Sequence, residues 1–158
     1  MSSGAVGLRR MVAGDLDRVI EIAATLATAP HWDREAYVGA IAEGDWLWRA
    51  ALVAEFDEEV AGFAVAAVVA DEAELESIAV ADKAQGRGIG TALIAALIRE
   101  LQVEGVKELR LEVRASNGAA IRLYERTGFR ETGRRWGYYR EPEEDAMLMG
   151  LRLTSGLE

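Results

Sequence analysis

A glycine-rich turn in the middle of the chain is the first segment whose residue types could do chemistry. The turn consists of Gln85, Gly86, Arg87, Gly88, Ile89, Gly90 and Thr91. Glycines permit positive φ angles and let a ligand approach the backbone closely. Free amide groups at the start of a helix bind phosphate. The turn therefore predicts an anion site between a strand and a helix, and a glycine-rich turn without a ligand is the alternative.

The spacing of the glycines disfavours two known phosphate loops. A Walker loop needs Lys followed by Ser or Thr after its last glycine, whereas Gly90 is followed by Thr91 and Ala92. A dinucleotide loop needs a third glycine where this chain has Thr91, and its strand would open the fold. We therefore expect neither nucleoside triphosphate chemistry nor a dinucleotide-dependent oxidoreductase, which NAD(H) binding would reveal.

The composition narrows the remaining chemistry. The chain has 158 residues, of which 51% are hydrophobic, and this predicts one domain spanning residues 1–158 around a buried core. Cysteine is absent, which excludes disulfides, thiolate zinc sites and a cysteine nucleophile. The single histidine is His31, so any Ser-His-Asp triad would require it, and we expect no metal site.

The charge is unevenly distributed along the chain. Residues 1–82 carry 5 basic and 16 acidic side chains, whereas residues 83–158 carry 13 and 11, and the formal net charge is -9. This balance argues against nucleic acid and acidic membranes as partners. The acidic first half would suit a cationic partner, and an unevenly charged solvated surface is the alternative.

The apolar pattern predicts a mixed α/β fold. Strands are expected at 8–12, 47–56, 60–70, 74–80, 109–113, 129–139 and 146–153. Residues 57–59 separate two apolar runs as a hairpin turn would. The helix after the glycine turn would connect two neighbouring parallel strands, so we expect a largely antiparallel start and one βαβ unit.

Four helices are expected between these strands. Asp15 is predicted to cap the first, and Asp33 the second, which would place Tyr37, Val38 and Ile41 inward. The third has Leu93, Leu97 and Leu101 on one face, with Ile94 and Ile98 beside it. The fourth is expected to begin at a cap on Ser116 or Asn117 and to end at Gly128.

Two segments carry a resemblance to a known family. Residues 85–90 fit the Q/R-x-x-G-x-G/A loop of acyl-CoA-dependent N-acyltransferases at each fixed place. More specific is the run Leu111-Glu112-Val113-Arg114-Ala115-Ser116-Asn117, followed by residues 119–125 and Gly128-Phe129. Together they resemble the GNAT N-acetyltransferases, and among these the RimI-type ribosomal-protein-alanine N-acetyltransferases. The resemblance extends from about Ala61 to Leu151 and is weaker before it.

The resemblance implies a fold, a cosubstrate and roles for particular residues. The fold would be a three-layer GNAT-like α/β fold, with a mixed central sheet of about seven strands flanked by four helices. The cosubstrate would be acetyl-CoA, with Glu112 as general base and Tyr124 as general acid. The residues implied to contact acetyl-CoA are Ile78, Ala79, Val80, Gln85, Gly86, Arg87, Gly88, Ile89, Gly90, Thr91, Asn117 and Tyr124.

Elementary acid–base chemistry agrees with these roles. An α-amino group has a pKa of about 7.7–8.0 and must lose a proton before it attacks, which a carboxylate can remove. A tyrosine hydroxyl, with a pKa of about 10, stays protonated and can donate to a leaving thiolate. The alternatives are that Glu112 faces solvent beside Arg110 and Arg114, or is held ionised by them, and that Tyr124 only packs in the core.

The acceptor side is less specific. The resemblance implies that Trp32, Tyr138 and Tyr139 bind the acceptor, and ordinary packing is an equal alternative for Trp32 and Tyr37. Asn117 could cap a helix, contact the cosubstrate, or do both. The acidic cluster at 141–145 is expected to be a solvated turn.

The expected function is an acetyl-CoA-dependent N-acetyltransferase that works by direct attack in a ternary complex. Its acceptor would be a protein N-terminal α-amine, a ribosomal protein being the type implied, and lysine side chains or small amines are the alternatives. A non-catalytic acyl-CoA-binding module is an alternative of another class. We expect no nucleic acid or membrane partner, a monomer or weak homodimer, and a cytoplasmic location, since no signal peptide or membrane-length apolar segment is present.

Overall fold

The computed structural model describes residues 5–25, 34–41 and 47–154, which are organised by a mixed β-sheet. Its strands are β1 (Gly7–Arg10), β2 (Leu47–Phe56), β3 (Glu59–Val69), β4 (Glu72–Val80), β5 (Glu108–Arg114), β6 (Arg130–Tyr139) and β7 (Glu144–Arg152). The helices of these ranges are α1 (Leu16–Ala24), α2 (Arg34–Ile41), α3 (Ile89–Val103) and α4 (Gly118–Arg126). Short 3-10 turns cover Ala13–Asp15 and Asp82–Ala84.

The strands are arranged in the order β1-β2-β3-β4-β5-β7-β6. Only β4 and β5 pair in parallel, and α3 connects them, whereas the other neighbours are antiparallel. The predicted fold class, with its seven strands, four helices and one βαβ unit, is confirmed in the described part of the chain. The insertion of β7 between β5 and β6 was not predicted.

Two apolar clusters cover the two faces of the sheet. On one face, alternate residues of β2 and β3 such as Leu52 and Ala64 pack with Leu93 of α3. On the other face, the intervening residues such as Val53 and Phe63 belong to the cluster of α1 and α2. Because both faces of these strands are buried, their sequences are nearly continuous apolar runs. The result is three layers.

Helix α3 packs closely on the sheet. Leu93, Ile94, Leu97 and Leu101 are fully buried, as its periodicity predicts. Gly62 of β3 makes the close approach possible, since a Cβ there would lie 3.2 Å from side-chain atoms of both Ile89 and Leu93 and 2.9 Å from the Ala79 carbonyl oxygen. The start of α3 is therefore held against the end of β4, where the glycine turn lies.

Two predictions for the first helices are wrong. Asp15 makes no side-chain cap on α1, because its carboxylate accepts two hydrogen bonds from the Arg9 guanidinium and one from the Val12 N–H, each at 2.8 Å. Val38 of α2 is 47% exposed, whereas Tyr37 and Ala40 are buried. A short helix with only two inward positions has weak periodicity, so neighbouring apolar residues are easily misassigned.

Three further observations concern the hairpin turn, the residues before α2 and the length of the helices. The predicted hairpin turn is confirmed, with Asp57 and Glu58 at φ 53° and 65° between β2 and β3. His31, Trp32 and Asp33 lie outside the described residues. Of the helices in the described ranges, none has the length and apolar character that crossing a membrane requires.

Candidate active site

The two parallel strands separate along their length. β4 pairs with β5 only from Glu72 to Glu74, opposite Glu108 to Arg110. Beyond this point β4 continues to Val80 and β5 to Arg114 without pairing to each other. A gap therefore opens in the middle of the sheet. The main chain of β4 that borders this gap can accept an extended ligand as a neighbouring strand would.

A bulge in β4 sets which residues border the gap. Val65 is paired with Ser77 and Ala66 with Leu75, so Glu76 is an extra residue in β4. Before the bulge Leu75 faces the α3 cluster, whereas after it Ala79 faces the α1 and α2 cluster. The predicted residues Ile78, Ala79 and Val80 follow the bulge and lie along the open edge.

The glycine turn follows directly at the end of β4. Gly86 and Gly88 adopt φ 80° and 76°, where other residues are strained. No side chain caps the start of α3, and its first turn contains no acidic residue. The Ala92 N–H bonds to the Gly88 carbonyl at 3.0 Å, so the amides before Ala92 precede the helical hydrogen-bond ladder. The arrangement can bind an anion.

The other residues of the turn have different surroundings. The Gln85 amide donates to the Val80 carbonyl at 3.2 Å, and the Arg87 guanidinium lies 4.8 Å from the centre of the Phe56 ring. Ile89 is buried and Thr91 is exposed. A Cβ on Gly90 would lie 3.1 Å from Leu123, which shows how closely α4 approaches this turn.

Glu112 lies on β5 with its side chain on the face opposite to α3. Its neighbours Leu111 and Val113 point into the α3 cluster, and Glu112 itself is 24% exposed. Its Oε1 accepts a hydrogen bond from Arg135 Nε at 3.1 Å. Of the open alternatives, pairing of Glu112 with Arg110 or Arg114 is not what the structure has: Arg110 pairs with Glu72 and Glu108, and Arg114 pairs with Glu144.

Tyr138 and Tyr139 lie beside Glu112 because β6 bulges. Arg135 pairs with Ala146 and Tyr139 with Glu144, so the strand contains extra residues between these positions. Asp145 fixes the bulge by accepting the Gly137 N–H at 2.8 Å, and Gly137 has φ 58°. The rings of Tyr138 and Tyr139 meet edge to face with centroids 5.2 Å apart.

The tyrosines are electrostatically coupled to Glu112. The Glu112 charge is the largest cause that raises the pKa of Tyr138, followed by the hydrogen bond between Glu112 and the Tyr138 hydroxyl. Burial, and then the Glu112 charge, raises the pKa of Tyr139, and the Arg114 guanidinium 4.3 Å from its ring centre opposes this effect. The carboxylate is therefore bordered by phenols that stay protonated at neutral pH.

Tyr124 occupies the α3 side of β5. It is 7% exposed and belongs to the same cluster as Leu111 and Val113. Burial first, and the charge of Tyr139 second, raises its pKa to about 12. Glu112 and Tyr124 thus lie on opposite faces of β5, and Tyr139 is coupled to both. The gap beside β5 is where a ligand could meet both groups.

The ends of α4 determine where Tyr124 lies. At the start, the Asn117 side chain accepts the Ala120 N–H at 3.2 Å, as one of the two predicted caps. At the end, Gly128 adopts φ 108° and the chain closes the helix with a Schellman pattern of hydrogen bonds. Both ends lie at residues where the sequence predicts them.

Two residues near Glu112 were missed. Glu74 is in register with Arg110, and its pKa is raised by burial first and by the Glu112 charge second. Arg135 reaches Glu112 from β6, although β7 lies between. The parallel pairing of β4 and β5 was a usable signal for Glu74, whereas nothing local in the sequence indicated Arg135.

The acidic cluster at 141–145 is not simply a solvated turn. Glu144 accepts the Ser116 N–H at 3.0 Å and pairs with Arg114, and Asp145 bonds to Gly137. Hydrogen bonding to Ser116 is the largest cause that lowers the pKa of Glu144. Trp136 in the adjacent bulge is 79% exposed, and Trp32 lies outside the described residues.

Comparisons with known proteins find a family and relatives that match most of the chain. The profile of the acetyltransferase (GNAT) family matches residues 17–129. The chain is 49% identical over 100 residues to the [ribosomal protein bS18]-alanine N-acetyltransferase of Salmonella typhimurium, covering 62% of this chain and 68% of that relative.

Solved structures are similar over nearly the whole chain. The ribosomal-protein-S18-alanine N-acetyltransferase from Escherichia coli is 35% identical, with a TM-score of 0.81 and coverage of 98% of this chain and 97% of that one. Ard1 from Thermoplasma volcanium is 26% identical, with a TM-score of 0.83 and coverage of 96% and 99%.

Proposed function

Because the chain belongs to the acetyltransferase (GNAT) family, we propose that it transfers an acetyl group from acetyl-CoA to the N-terminal α-amine of a protein. Similar proteins are named as ribosomal protein alanine N-acetyltransferases, which favours a ribosomal protein as the acceptor. The observation that carries the proposal is the gap between β4 and β5, which has an uncapped helix start at its end and Glu112 and Tyr124 on its two faces.

The chain offers separate groups for each part of acetyl-CoA, which supplies the acetyl thioester. We assign the pyrophosphate to the main-chain amides of residues 86–91, since amides without helical partners and the helix dipole both favour an anion. We assign the extended arm to the open edge of β4 at Ile78, Ala79 and Val80. A main-chain N–H of this edge would stabilise negative charge on the carbonyl oxygen, an effect often worth about 2.7–4 kcal/mol.

Glu112 and Tyr124 divide the proton transfers between them. Glu112 takes one proton of the incoming ammonium, and the freed amine forms the new N–C bond as the C–S bond breaks. The nitrogen then loses a second proton, which replaces the one that Tyr124 gives to the thiolate. Tyr124 donates its proton to the departing thiolate, and its raised pKa of about 12 keeps it protonated at working pH. The sequence contains no cysteine, so no acyl-cysteine intermediate takes part.

A peptide library tests this function. Peptides that differ in their N-terminal residues are incubated with acetyl-CoA, and mass spectrometry identifies which amine gains the acetyl group. Acetylation of α-amines is expected, with Glu112→Gln and Tyr124→Phe each lowering kcat by about 10²–10⁴-fold. Glu125→Gln, an exposed carboxylate next to Tyr124 on α4, is the matched control and should keep wild-type kcat.

The same experiment separates the alternatives. If acetyl groups are found only on lysine side chains or on added small amines, those groups are the acceptor in place of the N-terminal α-amine. Binding of CoA without transfer to any acceptor would favour a non-catalytic acyl-CoA-binding module. Full turnover in either active-site variant would remove that residue from its proposed role.

A further inference from the structure

We propose that Arg135 is a positioning residue, which orients the Glu112 carboxylate toward the gap between β4 and β5. This inference rests on the proposed function, because it assumes that Glu112 is the base. Arg135 Nε donates to Glu112 Oε1 at 3.1 Å, and the two residues come from strands that are not neighbours. Because β7 lies between these two strands, the contact can form only when the sheet is assembled.

The path of the Arg135 side chain depends on β7. Ala146 is the residue of β7 in register with Arg135, and it is fully buried. Because alanine ends at a methyl group, the longer arginine side chain can extend past it to β5. Arg135 therefore approaches Glu112 from the side of β5 that faces β7, away from β4.

Tyr138 supports the same orientation. The Glu112 charge is the largest cause that raises the pKa of its hydroxyl, and the Arg135 guanidinium lies 5.5 Å from the centre of its ring. Arg135 and Tyr138 both belong to β6, where Asp145 anchors the bulge through Gly137. With one carboxylate oxygen bonded to Arg135, the carboxyl group is fixed before an acceptor arrives, and preorganisation of this kind favours reaction.

The competing view is that this is an ordinary surface ion pair. The Arg135 side chain is 55% exposed, and exposed ion pairs often contribute little to stability. The two views differ in what they predict for catalysis. A positioning role affects kcat, whereas a surface ion pair affects neither kcat nor binding of acetyl-CoA.

The test compares Arg135→Ala with Arg130→Ala, which removes an exposed arginine at the start of the same strand. We expect R135A to lower kcat for an N-terminal peptide about 10-fold, since a hydrogen bond to a charged group is lost. The KM for acetyl-CoA should change less than about twofold, because that site lies elsewhere. R130A should keep the wild-type kcat.

Chemical rescue distinguishes positioning from structural damage. Because Arg135 is exposed, the space that its side chain leaves in R135A is open to solutes. Added guanidinium ion should therefore raise the kcat of R135A several-fold. This increase in kcat should saturate with guanidinium concentration. The same concentrations should leave the kcat of the wild type and of R130A unchanged. Thermal unfolding of R135A should match that of R130A.

Each other outcome overturns the assignment. A wild-type kcat in R135A, an equal loss in R130A, or a loss that guanidinium does not restore would show that Arg135 has no positioning role. If the wild type itself acetylates no α-amine, the proposed function fails and this inference fails with it. If the wild type acetylates α-amines and R135A has the same kcat, the proposed function stands and only the positioning role of Arg135 is wrong.

Discussion

The main-chain N–H of Phe129 donates to the carbonyl oxygen of Tyr124 at 3.0 Å, and their rings pack with centroids 5.6 Å apart. Gly128 lies between them in the left-handed region and donates to the Glu125 carbonyl at 3.1 Å. These bonds form the Schellman end of α4 with its accompanying apolar contact. The way in which α4 ends therefore fixes the position of Tyr124, the proposed general acid.

Gly128→Ala should destabilise the protein through this helix end. Alanine is strained at φ 108°, and its Cβ would lie 3.1 Å from Leu151, so the free energy of unfolding should fall by about 1–2 kcal/mol. Urea unfolding measures the change. Gly133→Ala is the control, because its Cβ would make an ordinary contact at 3.5 Å without a positive φ. Equal unfolding midpoints for the two variants would contradict the account.

Tyr124 should make stability fall at high pH. Burial, with the charge of Tyr139 second, raises its folded-state pKa to about 12, whereas the unfolded value is near 10. Between these values the folded state binds more protons, so this contribution is complete below pH 10 and is lost as the pH rises through 12.

Tyr124→Phe provides the comparison for this pH dependence. The free energy of unfolding of the wild type should fall more steeply above pH 10 than that of Y124F, with a difference of about 3 kcal/mol across the range. Urea titrations at several pH values measure both slopes. Parallel curves would show that Tyr124 is not buried as described.

Gly88→Ala should weaken binding of the pyrophosphate. Gly88 adopts φ 76°, and an alanine there would rotate the amides at the start of α3, so CoA affinity should fall about 10-fold. Inhibition by acetylpantetheine, which has no pyrophosphate, should change little. Gly105→Ala is matched in its strain, with φ 81°, but lies after the other end of α3. The idea would be wrong if G105A lost as much CoA affinity as G88A.

The acceptor side should favour cations. Residues 1–82 carry 16 acidic and 5 basic side chains. Near the gap the Glu112 charge, after burial, raises the pKa of Glu74, and Arg110 and Arg135 oppose this only in part. The KM of a peptide with arginine at its second position should therefore rise about threefold between about 50 mM and about 300 mM salt. A peptide with alanine at that position serves as the control. If the KM of both peptides is independent of salt concentration, electrostatic attraction does not contribute to peptide binding.

Local patterns predicted much of the fold and part of the site. The periodicity of α3, the alternation of β5 and the glycine turn each depend on residues near one another in sequence, and the structure has all three. The Asn117 cap and the Gly128 terminus also belong to this group. Such features follow from backbone geometry that a few neighbouring residues determine.

Contacts between distant elements could not be predicted in this way. Arg135 meets Glu112 only because β7 inserts between β5 and β6, and strand order is set by packing of the whole sheet. Asp15 binds Arg9 rather than capping α1 because the two are brought together where β1 leads into the helix. Tyr37, for which groove and core were both open, is fully buried, with its ring edge to face against that of Phe63.

We infer that the gap between β4 and β5 directs a thioester toward Glu112 and Tyr124. A crystal structure with CoA and an N-terminal peptide measures this most directly. We expect the pyrophosphate on the amides of residues 86–91 and the sulfur beside Tyr124. The peptide's α-amine should lie within hydrogen-bond reach of Glu112 or of one bridging water. A CoA molecule bound outside the gap, or a peptide amine remote from Glu112, would contradict it.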